Sequence, residues 1–251
     1  MASSVNLKLV LEYDGRGFAG WQVQPRGDRT VQGTLIQTFQ QLPGSFGPLH
    51  GAGRTDAGAH AEGQAASVTY QGPLHPERLR AALNALLPDD LAVLLVEAAP
   101  AEFHARYSAT ARRYRYRYLD RAARPALDRG RCWHLPRRLD AVAMAEGARL
   151  LVGRHDWTTY CAASEPEGER TREIFAASVR RRGRFVEVEL VGEGFLRGLV
   201  RGIAGALAEV GQHRRSPSWV GELLAARDRR RAPRTAPACG LTLVAVEYGA
   251  R

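Results

Sequence analysis

The sequence predicts an α+β protein of two halves, each of ferredoxin-like order β-α-β-β-α-β with an antiparallel sheet. Three observations carry this. Apolar residues alternate at period two at Leu7, Leu9, Leu11 and Tyr13, and again at Tyr114, Tyr116 and Tyr118. Capped segments with helical spacing lie between such strands. The order of the first half then recurs in the second, which puts the halves at residues 1–104 and 105–251, joined between 100 and 108.

Taken in order, the first strand ends at the Asp14-Gly15 turn. Thr30 caps a helix carrying Val31, Leu35, Ile36, Phe39 and Leu42, which Pro43-Gly44 stops. A short segment leads into residues 51–63, and 64–70 reads as a strand leaving them. His75-Pro76 opens a helix with Leu79, Leu83, Leu86 and Leu87. Residues 91–98 are almost continuously apolar, which predicts a central strand. In the second half, 112–119 is a strand and Asp140 caps a helix bearing Val142, Met144, Ala148 and Leu151. Residues 171–180 and 185–191 form a hairpin around 182–184. A helix runs from about Phe195 to Val210, Ser216-Pro217 starts another, and 241–248 is the closing strand, with Leu241, Leu243 and Ala245 on one face.

Hydrophobic residues make up 45% and charged residues 25% of the 251, the balance of a soluble globular chain. No apolar run is long enough to cross a bilayer, and the N-terminus has no basic segment followed by an apolar one. Cys132, Cys161 and Cys239 are odd in number and form no CxxC pattern, so a reducing, cytoplasmic location is expected. The net charge is +10, and Lys8 is the only lysine among 36 basic residues. Such an arginine bias arises from codon usage or thermal adaptation, and it also suits a polyanionic partner such as nucleic acid.

Residues 51–63, GAGRTDAGAHAEG, set Arg54, Thr55 and Asp56 among glycines and alanines. Small residues let the backbone turn sharply and let a bulky partner approach. The ordinary reading is a turn between strands. In RRYRYRY, residues 112–118, alternation puts three tyrosines on one face and Arg113, Arg115 and Arg117 on the other. Most of these six are expected to be core and solvated face, with at least one ring free to stack on a base. In the helix near 195–210, Gly198, Gly202 and Gly205 predict a close neighbour, and Arg201 needs a carboxylate there, for which Asp56 is a candidate. The run 227–234, RDRRRAPR, reads as a phosphate-contacting surface. His50, Asp56 and His60 show no recognisable ligand pattern, and no metal or other cofactor is expected.

The loop GAGRTDAGAH, the segment FHARYSATARRYRYRY from Phe103, the helix with Phe195 and Val200-Arg201, and GLTLVAVEY from Gly240 occur in one order. With EYDG at 12–15 and FAGWQ at 18–22 they resemble the bacterial tRNA pseudouridine synthase A family over essentially the whole chain. The resemblance implies an isomerase that converts uridine to pseudouridine at positions 38, 39 and 40 of the tRNA anticodon stem-loop. It implies a homodimer and an active-site cleft between the two halves. Asp56 takes the place of the catalytic aspartate and Arg54 that of the arginine that helps push out the target nucleotide. Tyr114 takes the place of the tyrosine stacking on the base, and Arg201 that of the aspartate's partner. Leu241 and Leu243 match the apolar floor of the base pocket. Gly198 departs from the family pattern, where a bulkier polar residue is common.

Two rivals bear on the same residues. A non-catalytic RNA-binding module predicts affinity with no change in the RNA. A glycosidase or nucleosidase needs a second acid, for which Glu62 is the nearest in sequence.

Overall fold

The computed structural model describes residues 4–165 and 168–249. It is an α+β protein with mostly antiparallel strand pairing, and it divides into two compact units: Met1–Thr110 with Leu243–Arg251, and Ala111–Thr242.

In the first unit, β1 (Val5–Tyr13) leads to α1 (Val31–Phe39), two short strands β2 (Ser45–Phe46) and β3 (His50–Gly51), and the long β4 (His60–Gln71). Then come α2 (Pro76–Leu86) and β5 (Leu91–Ala98). β1 lies between β4 and β5, antiparallel to both, while β2 and β3 pair with β4. Alternation buries Leu7, Leu9, Leu11 and Tyr13. Thr30 caps α1 as expected, its hydroxyl accepting from the Gly33 amide at 3.2 Å. The helix ends at Phe39, before the predicted Leu42, and β4 begins four residues earlier than its apolar pattern suggests.

β5 corrects the sequence reading. Among the described residues it stands at the end of the strand order, paired only with β1, and is therefore an edge strand rather than a central one. The register shifts so that Val10 faces Leu95 and Leu11 faces Val93, leaving Leu94 as an extra residue. This bulge changes the parity of the strand: Leu91, Val93 and Val96 are buried, whereas Leu94 and Leu95 are exposed. An apolar run interrupted by a bulge mimics a strand buried on both faces.

In the second unit, β6 (Ala109–Asp120) is joined by the short parallel β7 (Trp133–Leu135). After α3 (Ala141–Arg149) come β8 (Gly153–Asp156), β9 (Thr171–Arg182) and β10 (Phe185–Gly192). The sheet runs β6-β10-β9-β8, and α3 packs on β9 and on α4 (Leu199–Gly211). α5 (Trp219–Ala226) follows, and β11 (Leu241–Tyr248) closes the chain, passing into the first unit at Leu243. Asp140 caps α3 by accepting from the amides of Val142 and Ala143 at 2.9 and 3.0 Å. Val142 itself points to solvent, unlike Met144, Ala148 and Leu151.

α4 starts four residues later than its apolar stripe predicts, leaving Phe195 outside. Gly198 precedes the helix with φ +73°, a left-handed conformation that a residue with a Cβ adopts only under strain. That conformation accounts for glycine at this position. The expected close neighbours of Gly202 and Gly205 are backbone carbonyls, those of Tyr160 and Arg234, which any added Cβ would overlap.

Candidate active site

The connection from β3 to β4 carries Arg54 and Asp56. Residues 52–59 have no regular strand or helix, so their backbone groups must find partners elsewhere. The loop at residues 15–21 supplies them. Trp21 donates its amide to the Thr55 carbonyl (3.1 Å) and Gly58 donates to the Phe18 carbonyl (3.3 Å). Gly20, at φ +95°, lies so close that a Cβ would come within 2.8 Å of the Thr55 carbonyl oxygen. The EYDG and FAGWQ segments therefore brace the loop that holds Asp56.

Below the loop sits a buried polar group. The Tyr13 hydroxyl and Thr55 Oγ1 are 2.8 Å apart. Gln64 Nε2 donates to the Gly53 carbonyl at 2.9 Å and to the Tyr13 hydroxyl at 3.4 Å. All three side chains are buried, where each hydrogen bond holds the backbone more firmly than it would in water. Between Thr55 and the turn closed by Ala59 donating to the Asp56 carbonyl (3.1 Å), Asp56 is half-buried, and Arg54 is exposed. His60 accepts from the Gly15 amide at 3.1 Å through Nδ1, and His50 stacks on His104. Among the described residues no three His, Cys, Asp or Glu side chains are grouped as metal ligands would be. Nor is any described helix long and apolar enough to cross a membrane.

In the second unit the three tyrosines of β6 have different fates. Tyr116 donates its hydroxyl to the Pro237 carbonyl and Tyr118 to the Ala204 carbonyl, both at 2.7 Å. Both rings are fully buried, and burial holds both phenols well above their ordinary range. Tyr114 keeps 7% of its surface and meets Phe195 edge to face, ring centroids 5.0 Å apart. On the opposite face, Arg113 bridges Glu189 at 2.8 Å and Arg117 bridges Glu187 at 2.7 Å across the β6–β10 ladder. Arg201, in the first turn of α4, donates Nε to the Ala236 carbonyl at 2.7 Å, while the Ala236 amide donates to the Arg201 carbonyl at 3.1 Å. Within the basic run, Asp228 pairs with Arg230 at 2.9 Å, which lowers the carboxyl from its ordinary value.

Arg54, Asp56 and Leu243 thus belong to the first unit, and Tyr114, Arg201 and Leu241 to the second. Leu241 and Leu243 are buried. Tyr13 and Gln64, which hold the loop from β1 and β4, are not singled out by the sequence as site residues. Their only signal in sequence is proximity to the EYDG segment and to the glycine-rich loop.

The sequence matches the tRNA pseudouridine synthase family over residues 9–108 and 148–249. The chain belongs to that family. Curated relatives extend across nearly its whole length. A tRNA pseudouridine synthase A of Geobacillus kaustophilus is 44% identical over 96% of this chain and 94% of its own. Those of Moorella thermoacetica and Azorhizobium caulinodans are each 43% identical over 96% of this chain, covering 99% and 93% of theirs. Arg54, Asp56, Arg201, Leu241 and Leu243 fall inside the spans matched to the tRNA pseudouridine synthase family, and Tyr114 falls between them.

Proposed function

We propose that this chain converts uridine to pseudouridine at positions 38, 39 and 40 in the anticodon stem-loop of tRNA, with Asp56 as nucleophile and no cofactor. The observation that carries this reading is the 44% identity, over 96% of the chain, to a curated tRNA pseudouridine synthase A. The reaction breaks the N1–C1′ bond of uridine and forms a C5–C1′ bond. The proton on C5 leaves and N1 takes one up, so atoms and electrons balance without a donor or an acceptor.

Such chemistry needs an ionised carboxylate that the RNA can reach and a pocket that retains the detached base. Asp56, half-buried on a braced loop of small residues, suits the first requirement. It attacks either C1′ or the ring. Arg201 supplies the opposing positive charge, and Tyr114 stacks on the freed uracil over a floor formed by Leu241 and Leu243. Arg54, exposed on the same loop, fills the gap left by the displaced nucleotide and offsets part of the few kcal/mol that unstacking costs. The fold is read as two ferredoxin-like halves, residues 1–104 and 105–251, and the enzyme as a cytoplasmic homodimer.

The test is to incubate the purified protein with an unmodified tRNA transcript and map pseudouridine by nucleotide. Modification confined to positions 38–40 is the expected result. Binding without modification would leave an RNA-binding module, and release of free uracil would leave a glycosidase.

A further inference from the structure

The FHARY segment contributes to the family resemblance, yet none of the chemistry above uses its side chains. It forms a tight turn in the first unit. The Ser108 hydroxyl accepts from the His104 amide at 3.0 Å, and the Ser108 amide donates to the His104 carbonyl at 2.9 Å. Ala105 is fully buried, its amide donating to the Ser67 hydroxyl at 3.0 Å and its carbonyl accepting from Tyr248 at 2.8 Å. Ala105 also packs in one apolar cluster with Ala52, on the loop that carries Arg54 and Asp56. The turn and that loop are therefore neighbours, and β3 brings His50 to the same place.

Three rings stack there. His50 and His104 have centroids 4.5 Å apart, and His104 and Tyr107 4.4 Å apart, each pair tilted by 34°. His104 Nδ1 accepts from the Arg106 amide at 3.1 Å, which fixes the ring's orientation. Burial, reinforced by His50 and Arg106, holds His104 below its ordinary value, which favours the uncharged ring. The outermost ring, Tyr107, is 77% exposed, and the Arg106 guanidinium lies 5.7 Å from its centroid. Packing does not call for a tyrosine at so exposed a position. An ordered aromatic stack whose two end residues, His50 and Tyr107, are both exposed, with an arginine beside Tyr107 on a chain of net charge +10, is suited to a nucleobase of a polyanion.

We infer that His50, His104 and Tyr107 form a stacking platform for an unpaired nucleobase of the RNA substrate, beside the Arg54–Asp56 loop and distinct from the pocket for the target uridine. The inference rests on the reading of this chain as a tRNA-modifying enzyme. The test compares Tyr107→Ala and Tyr107→Phe with wild type in the full chain, measuring tRNA affinity by filter binding at fixed salt and pseudouridine formation under steady state. Tyr107→Ala should raise Kd and KM about 5- to 150-fold, the scale of losing one base–aromatic stack, and leave kcat within about twofold. Tyr107→Phe should restore binding, because the ring and not the hydroxyl carries the contact. Unchanged affinity in Tyr107→Ala would overturn the platform. So would a loss that phenylalanine does not rescue, or a change in self-association with RNA affinity intact. A wild-type protein that binds tRNA but forms no pseudouridine would end the enzymatic reading, while the affinity comparison would still decide the platform.

Discussion

In β6, every second side chain from Tyr114 to Tyr118 is buried and its neighbours are paired to glutamates on β10, so one ladder fixes the whole strand. Residues 52–59 have no ladder. Their carbonyls and amides are held one at a time, by Trp21, Phe18 and Gln64, and the Thr55 side chain is held by the Tyr13 hydroxyl. A ladder spreads its stability over many contacts, and losing a large ring from it costs the whole fold. The loop is small and half-open, which leaves Asp56 accessible, and its shape depends on a few buried hydrogen bonds from outside it. Damage to the strand should therefore appear mainly as lost stability, and damage to the loop mainly as lost activity.

The sharpest test lies in the loop. Asp56→Asn should reduce pseudouridine formation by about 10⁴-fold or more, roughly 5 kcal/mol on the barrier. Its melting temperature and tRNA affinity should stay close to wild type, because the amide keeps the size of the half-buried side chain. Turnover within about a hundredfold of wild type would remove the carboxylate from the mechanism and the contrast with it.

The strand supplies the counterpart. Tyr118 is fully buried and donates to the Ala204 carbonyl in α4. Tyr118→Ala should cost about 3–5 kcal/mol of stability, read as a fall in the urea midpoint, because it opens a cavity beneath the helix. If the variant folds, kcat at low temperature should change little. A stable Tyr118→Ala protein with impaired kcat would reverse the comparison.

How much of this could be read in advance follows from the range of the interactions. Thr30, Asp140 and the β9–β10 hairpin are local, so caps and turn residues announced them within a few positions. The tyrosine face of β6 was likewise legible from alternation. β5 was misread because a bulge opposite Val10 and Leu11 is a property of the pairing and not of the run itself. The start of α4 was misread because apolar spacing continues through Gly198, whose positive φ ends the helix in space. At the candidate site, the small residues around Asp56 were visible as a loop built for close approach. The brace from Tyr13 and Gln64 was not, since it arises only when β1 pairs with β4.

A smaller effect belongs to the end of β6, where strand and ion pair meet. Arg181 donates to both oxygens of Asp120 at 2.8 and 2.6 Å, and the Leu139 amide donates to Oδ2 at 2.8 Å. Burial alone would raise the Asp120 carboxyl, but these hydrogen bonds and the Arg181 charge together lower it below its ordinary value. A carboxyl lowered in the folded state contributes stability above its unfolded value, about 3.9, and loses it as pH falls through the lower folded value. Asp120→Asn should cost about 2–4 kcal/mol at pH 7, since it leaves Arg181 partly buried without its charge partner. The gap to wild type should narrow as pH falls below about 4, as followed by urea midpoints across pH. A gap independent of pH would mean that the hydrogen bonds matter and the charge does not.

The smallest change separates holding the loop from holding the fold. Tyr13→Phe removes one oxygen, the one shared by Thr55 and Gln64, and leaves the ring packed edge to face on Phe18 at 6.3 Å. Two buried groups each lose one partner, which costs about 1–2 kcal/mol of stability. The Asp56 backbone, adjacent to Thr55, then has more freedom. kcat should therefore fall several-fold while tRNA affinity holds, because the RNA surface is unaltered and only the placement of the carboxylate has loosened. Gln64→Leu, which removes the bond to the Gly53 carbonyl at 2.9 Å, should act in the same direction. If the two effects are coupled through one network, the double variant should lose less than the product of the single losses. Independent, fully multiplicative losses would mean that Tyr13 and Gln64 brace the loop separately.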